Sequence, residues 1–289
     1  MVVVSVFDWA DHDGAAPFKR LQQMFELLSE SRLIMNKDCN ALRLVVLLLF
    51  LVACSTEPQE EAVIKQVAQE HTQVTKAILD NYPAVLSQPT LKKLAKMKQE
   101  PTDTEVFIAA LKVKEIDRSS KNLIRQILSD LPKVKEGEKE IGEVDRNALA
   151  ELKKRLDHAD SITEMMEVLK DINREYGGVD RRNLRFGLKV ANQMLEDGSS
   201  TIYSPDYKAY KDLPPPRDEG QDRRVLAKSV AREDIEGAVA GAVGGALAGG
   251  LATGGPGALP GAGVGALGGG AGKSAAALVG KLLDWLGVG

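Results

Sequence analysis

An uncharged, glycine-rich stretch near the C-terminus constrains the fold of this chain more than any other feature. The 36 residues from 237 to 272 carry no charged side chain and hold 16 of the chain's 27 glycines. Glycine recurs there at every fourth position in two rows, Gly237, Gly241, Gly245 and Gly249, then Gly257, Gly261, Gly265 and Gly269. Residues four apart share one helix face, so each row predicts a smooth groove that another backbone can approach closely.

The two rows are separated by Gly254-Gly255-Pro256, which predicts a turn between two helical arms whose grooves face each other. If the second arm begins at Pro260, Gly257 belongs to the turn. A second row, Val239, Val243, Leu247 and Leu251, is offset by about 200° around the helix from the glycines. The pattern predicts that the glycines pack together in or on a membrane and that these four aliphatic side chains face lipid.

Such an arm is not expected to be helical alone in water, because each glycine costs about 1 kcal/mol relative to alanine. It needs a partner helix or a bilayer, where unmade backbone hydrogen bonds cost more. Residues 237–252 would extend roughly 24 Å against a hydrocarbon thickness of about 30 Å, so insertion is expected to be partial or conditional. Leu278, Leu282, Leu283, Trp285 and Leu286 predict a final amphipathic segment with a tryptophan suited to the membrane interface.

An export signal is predicted near the other end of the chain. From Met35 the sequence reads MNKDCNALRLVVLLLFLVAC, in which Lys37 and Arg43 precede an apolar run over residues 44–52. That run, about nine residues, is too short for a permanent transmembrane helix, which needs roughly 20.

The signal ends in Leu51-Val52-Ala53-Cys54, which resembles the lipobox of bacterial lipoproteins. The resemblance implies cleavage of a signal peptide at 35–53 and acylation of Cys54, and buried acyl chains anchor a protein at about 0.8 kcal/mol per methylene. Because Ser55 rather than aspartate follows the cysteine, it also implies an outer-membrane location with a periplasmic or cell-surface face.

Residues 1–34 do not suit a signal peptide, and Met35 lies where a start would be expected. Two interpretations stay open: a mis-called start, or a genuine extension. In the second case the extension is either disordered or carries a short amphipathic helix through Phe18, Leu21, Met24, Leu27 and Leu28.

The rest of the chain predicts an all-α protein, a helical bundle-like body followed by the glycine-rich hairpin. Apolar residues recur at helical spacing through 54–198, and Thr102-x-x-Glu105 and Ser161-x-x-Glu164 have capping-box spacing. Three stripes each predict one packed helix face: Ile64, Val67, His71, Val74 and Ile78; Ile162, Met165, Met166, Leu169, Ile172 and Tyr176; and Leu184, Leu188, Ala191 and Leu195. Pro83, Pro101 and Pro132 predict helix breaks. Residues 55–61 suit a short polar tether, 199–224 a proline-rich linker and domain boundary, and 225–289 the hairpin with its terminal segment. Three tyrosines of the linker suit either a binding strip or a stretch of chain lying on the bundle, Tyr203, Tyr207 and Tyr210.

Several classes of function lack their usual residues. With 38 basic against 41 acidic side chains, no strong affinity for nucleic acid is expected. Both cysteines lie at or before the cleavage point and the three histidines are isolated, so neither a metal nor another cofactor is predicted. Gly272-Lys273-Ser274 is not the end of a phosphate-binding loop, because Leu267 stands where that motif needs glycine, so no nucleotide is expected. No catalytic constellation emerges.

The run GAVAGAVGGALAGGLATGGPGALPGAGVGALGG resembles the glycine-zipper segments of small bacterial outer-membrane lipoproteins, and those of two-peptide and contact-dependent glycine-zipper bacteriocins. The first resemblance implies a non-enzymatic lipoprotein with a structural or interaction role in the envelope. Its expected partners are the lipid bilayer and either copies of itself or another membrane protein, held through the zipper. The alternative is a membrane-active or pore-forming antibacterial effector. A hydrolase of cell wall or lipid is a third hypothesis, without a visible catalytic pattern.

Overall fold

A computed structural model describes residues 37–178, 181–216, 222–248 and 258–286, and the side chains of these residues except for 37–58 and 258. The chain divides into two compact units, Met1–Ser55 and Thr56–Gly289. The described residues form eleven α-helices and no strand, which confirms the all-α prediction. The helices are α1 (Lys37–Asp80), α2 (Tyr82–Leu86), α3 (Pro89–Lys96), α4 (Asp103–Leu111), α5 (Arg118–Lys139), α6 (Glu143–His158), α7 (Ile162–Tyr176), α8 (Arg182–Gly198), α9 (Lys208–Lys211), α10 (Arg223–Ala248) and α11 (Ala258–Leu286).

Apolar residues at helical spacing account for the core of the Thr56–Gly289 unit. The predicted stripe of α1 is buried along its length, Ile64, Val67, His71, Val74 and Ile78. The same holds for Leu184, Leu188, Ala191 and Leu195 of α8. On α7 the stripe is buried in the middle, at Met165, Leu169 and Ile172, and partly exposed at its ends. Each of these helices therefore presents one apolar face to the others.

Side-chain caps fix several helix starts. Thr102 Oγ1 accepts a hydrogen bond from Glu105 N, and Glu105 Oε2 accepts one from Thr102 N at 2.9 Å, which completes the predicted capping box. Ser161 caps α7 in the same way, although the carboxylate of Glu164 accepts from Asp160 N instead. The helix break predicted at Pro132 is wrong: the proline lies within α5, on its exposed side.

The glycine-rich arms α10 and α11 lie in the middle of this unit. They pack most extensively against each other, and α10 also packs against α8 and α5. Helix α11 packs against α5 and α4. The two arms therefore form a hairpin that the helices of the body surround, rather than a separate module.

The segment predicted as a linker is part of the same unit. Ile202, Tyr203, Tyr210 and Leu213 are buried in the core, and the hydroxyl of Tyr210 donates to the Ile202 carbonyl at 2.7 Å. Residues 199–224 therefore do not separate two compact units in this structure, and the tyrosines follow the second of the two interpretations, a stretch of chain lying on the bundle. The predicted tether at 55–61 is also helical, as part of α1.

Candidate functional site

The glycines of the two arms meet in antiparallel pairs: Gly237 with Gly269, Gly241 with Gly265, and Gly245 with Gly261. At each pair the backbone of one arm touches the backbone of the other. A Cβ placed on Gly241 would lie 2.9 Å from the carbonyl carbon of Gly265 and 3.0 Å from Gly269 Cα. Side chains are excluded from this seam, as the sequence pattern predicts for closely packed helices. Gly249 and Gly257, which continue the same register, lie outside the described residues.

The aliphatic row of α10 faces the body of the protein. Val239 and Val243 are 0% and 1% exposed, and Leu247 is partly buried against the core. Leu251 lies outside the described residues. The outward, lipid-facing position predicted for these side chains is therefore not the one that they occupy here. Aliphatic side chains are removed from water in a protein interior as well as in lipid, so the spacing alone could not distinguish the two environments.

Two more glycines outside the repeat let other helices approach α10. Gly137 of α5 abuts the backbone at Gly244, and a Cβ on Gly187 of α8 would lie 3.0 Å from Val239 Cα. Sequence reasoning missed both. The available signal was an isolated glycine within a helical pattern, which usually marks close packing.

Trp285 does not lie at a surface. Its side chain is 4% exposed, and its indole N–H donates to the carbonyl of Pro214 at 2.8 Å. Leu278, Leu282 and Leu283 are buried as well, so the predicted interfacial segment forms the end of α11 inside the core.

A polar cluster lies inside the unit and joins α1 to both arms. His71 Nε2 of α1 lies 2.7 Å from Asp234 Oδ1 of α10. Thr75 Oγ1 lies 3.4 Å from His71 Nε2 and 3.4 Å from Ser274 Oγ of α11. These four residues are fully buried. Sequence reasoning placed His71 in a packed stripe but could not identify its partner, which is 163 positions away.

Two atoms of this cluster, His71 Nδ1 and Asp234 Oδ2, have no hydrogen-bond partner among the described residues, and neither does the hydroxyl of the neighbouring Tyr203. Burial, together with the nearby Asp234 carboxylate, raises the pKa of Tyr203 well above its usual value, so its hydroxyl stays protonated. A buried polar pair with unpaired atoms is weak evidence for stability, because desolvation of the polar atoms offsets the attraction between them. The cluster therefore specifies which faces of α1, α10 and α11 meet more than it strengthens the core.

The chemistry open to this cluster is narrow. Ser274 Oγ contacts Thr75 and donates to the Ala271 carbonyl at 3.3 Å, so it is not paired with the histidine as a nucleophile with its base would be. Among the described residues, no group of three or more His, Cys, Asp and Glu side chains is placed to hold a metal ion. Cys54, the predicted acylation site, lies in α1, within the part of that helix whose side chains are not described.

Comparison with protein-family models, with curated proteins and with solved structures found no match to this chain. Within the described part of the chain, none of the helices combines the length and the apolar character that crossing a bilayer requires.

Proposed function

We propose that this chain is a non-enzymatic outer-membrane lipoprotein, anchored through Cys54, whose glycine-zipper hairpin is the scaffold of a helical extracytoplasmic domain. The observation that carries the proposal is the closed seam between α10 and α11. Three glycine pairs meet within one chain, and the aliphatic row on the other side of α10 is enclosed by the body. The partner that these glycine-rich helices need is then supplied by the chain itself.

The position of the compact unit supports the anchoring part of the proposal. That unit begins at Thr56, two residues after Cys54. Cleavage before Cys54 would remove residues outside the unit and leave the acylated residue directly at its start. The bilayer is then a partner through the acyl chains, while the hairpin stays within the protein.

The closed seam also bears on self-association. A second copy could use the glycine rows only after α10 and α11 separate, because each row is already occupied. In the closed form, an envelope role therefore depends on the outer surfaces of the body helices.

Metabolic labelling with a fatty-acid probe, followed by membrane fractionation, tests the anchor. The native chain should incorporate the probe and sediment with membranes, whereas Cys54→Ala should lose the label. Cys39→Ala is the matched control and should behave as the native chain. Equal labelling of the native chain and Cys54→Ala would overturn the anchoring proposal.

A second candidate is the membrane-active effector, favoured by the contacts that enclose the hairpin and its uncharged stretch, residues 237–272. Buried polar contacts of His71 and Thr75 join both arms to α1, and these contacts leave polar atoms unpaired. Breaking such contacts costs less free energy than separating well-packed apolar side chains would. The effector hypothesis predicts dye release from liposomes by the full chain, and less release by the double variant His71→Leu/Asp234→Leu. If the native chain releases no dye, the effector hypothesis fails and the envelope role is the remaining candidate.

A further inference from the structure

Nine basic side chains between residues 92 and 125 form no ion pair with any described residue: Lys92, Lys93, Lys96, Lys98, Lys112, Lys114, Arg118, Lys121 and Arg125. The structure contains sixteen ion pairs of Lys or Arg between described residues, and none of them uses a cation from this segment. Most basic side chains elsewhere in the described chain are paired, so the segment 92–125 differs in carrying a run of nine unpaired cations.

The acidic residues of the same segment do not neutralise it. Of its five carboxylates, three have other roles. Asp103 pairs with Lys135 at 2.9 Å, and Glu105 completes the capping box of α4. Asp117 caps α5, where hydrogen bonds from the hydroxyl and backbone N–H of Ser120 hold the pKa of Asp117 below its usual value. A local excess of positive charge therefore remains in a chain that is nearly neutral overall.

The end of α3 adds a strained backbone and an exposed apolar side chain to this charge. Lys98 has φ 53°, and no other non-glycine residue of the described chain has a positive φ. Lys98 N bonds to the Ala95 carbonyl, and Gln99 N to that of Leu94, both at 3.1 Å, which is a Schellman turn with lysine where glycine is preferred. Met97, in the same turn, is 52% exposed.

We propose that the end of α3 is a contact surface for an anionic phospholipid bilayer, formed by Lys92, Lys93, Lys96, Met97 and Lys98. Clusters of four or more cations near a membrane gain about 1 kcal/mol each from anionic lipid. An apolar side chain among lysines suits the headgroup boundary. All the cations here are lysines, which act as point charges toward a charged surface and lack the bidentate geometry of arginine. This contact is separate from the proposed anchor at Cys54.

A local probe tests the surface in the full chain. In a Cys39→Ser/Cys54→Ser background, Met97→Cys carries an environment-sensitive dye, and Val225→Cys, 56% exposed on α10, is the matched control site. Vesicles of phosphatidylcholine alone are compared with vesicles containing phosphatidylglycerol. We expect a blue shift at position 97 that requires phosphatidylglycerol and weakens with salt, and no such dependence at position 225. Equal responses to the two lipids at position 97 would overturn the proposal.

Lys98→Gly separates binding from folding. Glycine suits the left-handed turn, so the variant should unfold at higher temperature, while the loss of one charge should weaken the phosphatidylglycerol-dependent response about fivefold. A more stable variant with an unchanged response would show that the lysine does not serve lipid binding. If millimolar inorganic phosphate abolishes the response of the protein with native Lys98 to phosphatidylglycerol vesicles, the lysines bind a soluble anion. That result would also overturn the bilayer contact.

Discussion

Replacement of Gly241 by alanine tests the hairpin seam at its most crowded described pair. Alanine favours the helix by about 1 kcal/mol relative to glycine. Against this, the new methyl group would lie 2.9 Å from the Gly265 carbonyl carbon and 3.0 Å from Gly269 Cα, well inside ordinary contact. Both are backbone atoms and cannot rotate away, so the arms must separate. Overpacking of a core costs about 1–3 kcal/mol, and a cost of at least about 2 kcal/mol is expected here.

We therefore expect Gly241→Ala to lower the free energy of unfolding by at least about 1 kcal/mol after the helical gain is subtracted. Gly268→Ala is the matched control. It lies in the other glycine-rich arm, α11, and the nearest atoms to its added Cβ are Ile127 Cγ2 at 3.8 Å and Leu131 Cδ1 at 3.9 Å. Nothing needs to move there, so Gly268→Ala should raise the free energy of unfolding by up to about 1 kcal/mol.

Urea unfolding followed by circular dichroism at 222 nm measures both variants in one background, the full chain with Cys54→Ser. Opposite signs for the two alanines are expected, with a difference of about 2 kcal/mol. Equal stabilisation by both would refute the close antiparallel seam, because it would mean that no backbone lies beside Gly241.

Two further predictions concern buried charge. His71→Leu removes the hydrogen-bond partner of Asp234 Oδ1 and should cost about 3–5 kcal/mol in urea unfolding. His71→Leu/Asp234→Leu should be at least as stable as the native chain, and a double variant as unstable as the single one would contradict this. Burial, with Glu236 nearby, raises the pKa of Glu233 above its unfolded value of 4.5, so its contribution to stability is present below that pH and is lost as pH rises through the folded pKa. Glu233→Gln should therefore raise the melting temperature at pH 7 and change it little at pH 4, and the opposite pH dependence would show that Glu233 is not desolvated.

The fold class and the pairing surface could be predicted because both depend on local spacing. The stripe of α1 from Ile64 to Ile78 is buried as its periodicity indicates. The four-residue glycine repeat likewise identified the faces of α10 and α11 that meet. In each case residues three or four apart share a face whatever surrounds the helix. The turn predicted at Gly254-Gly255-Pro256 lies outside the described residues.

The environment of the hairpin could not be predicted in the same way. The spacing of Val239 and Val243 fits a lipid-facing position and a core position equally well. Which one they occupy depends on the packing of α5 and α8 against α10, and both helices are distant from α10 in the sequence. Trp285 was assigned to an interface because nothing local identifies its acceptor, the carbonyl of Pro214. The pair of His71 and Asp234 is similarly invisible until the fold brings α1 and α10 together.

Hydrogen exchange by mass spectrometry tests the central claim most directly. The full chain with Cys54→Ser is exchanged in buffer without lipid or detergent, and peptides covering residues 237–246 and 261–272 are followed. Because the arms pair with each other and are enclosed by the body, their amides should be among the slowest to exchange, with protection close to that of global unfolding. Fast exchange of both arms in lipid-free buffer, slowed only by added vesicles, would contradict the account and show that the hairpin folds against a bilayer instead.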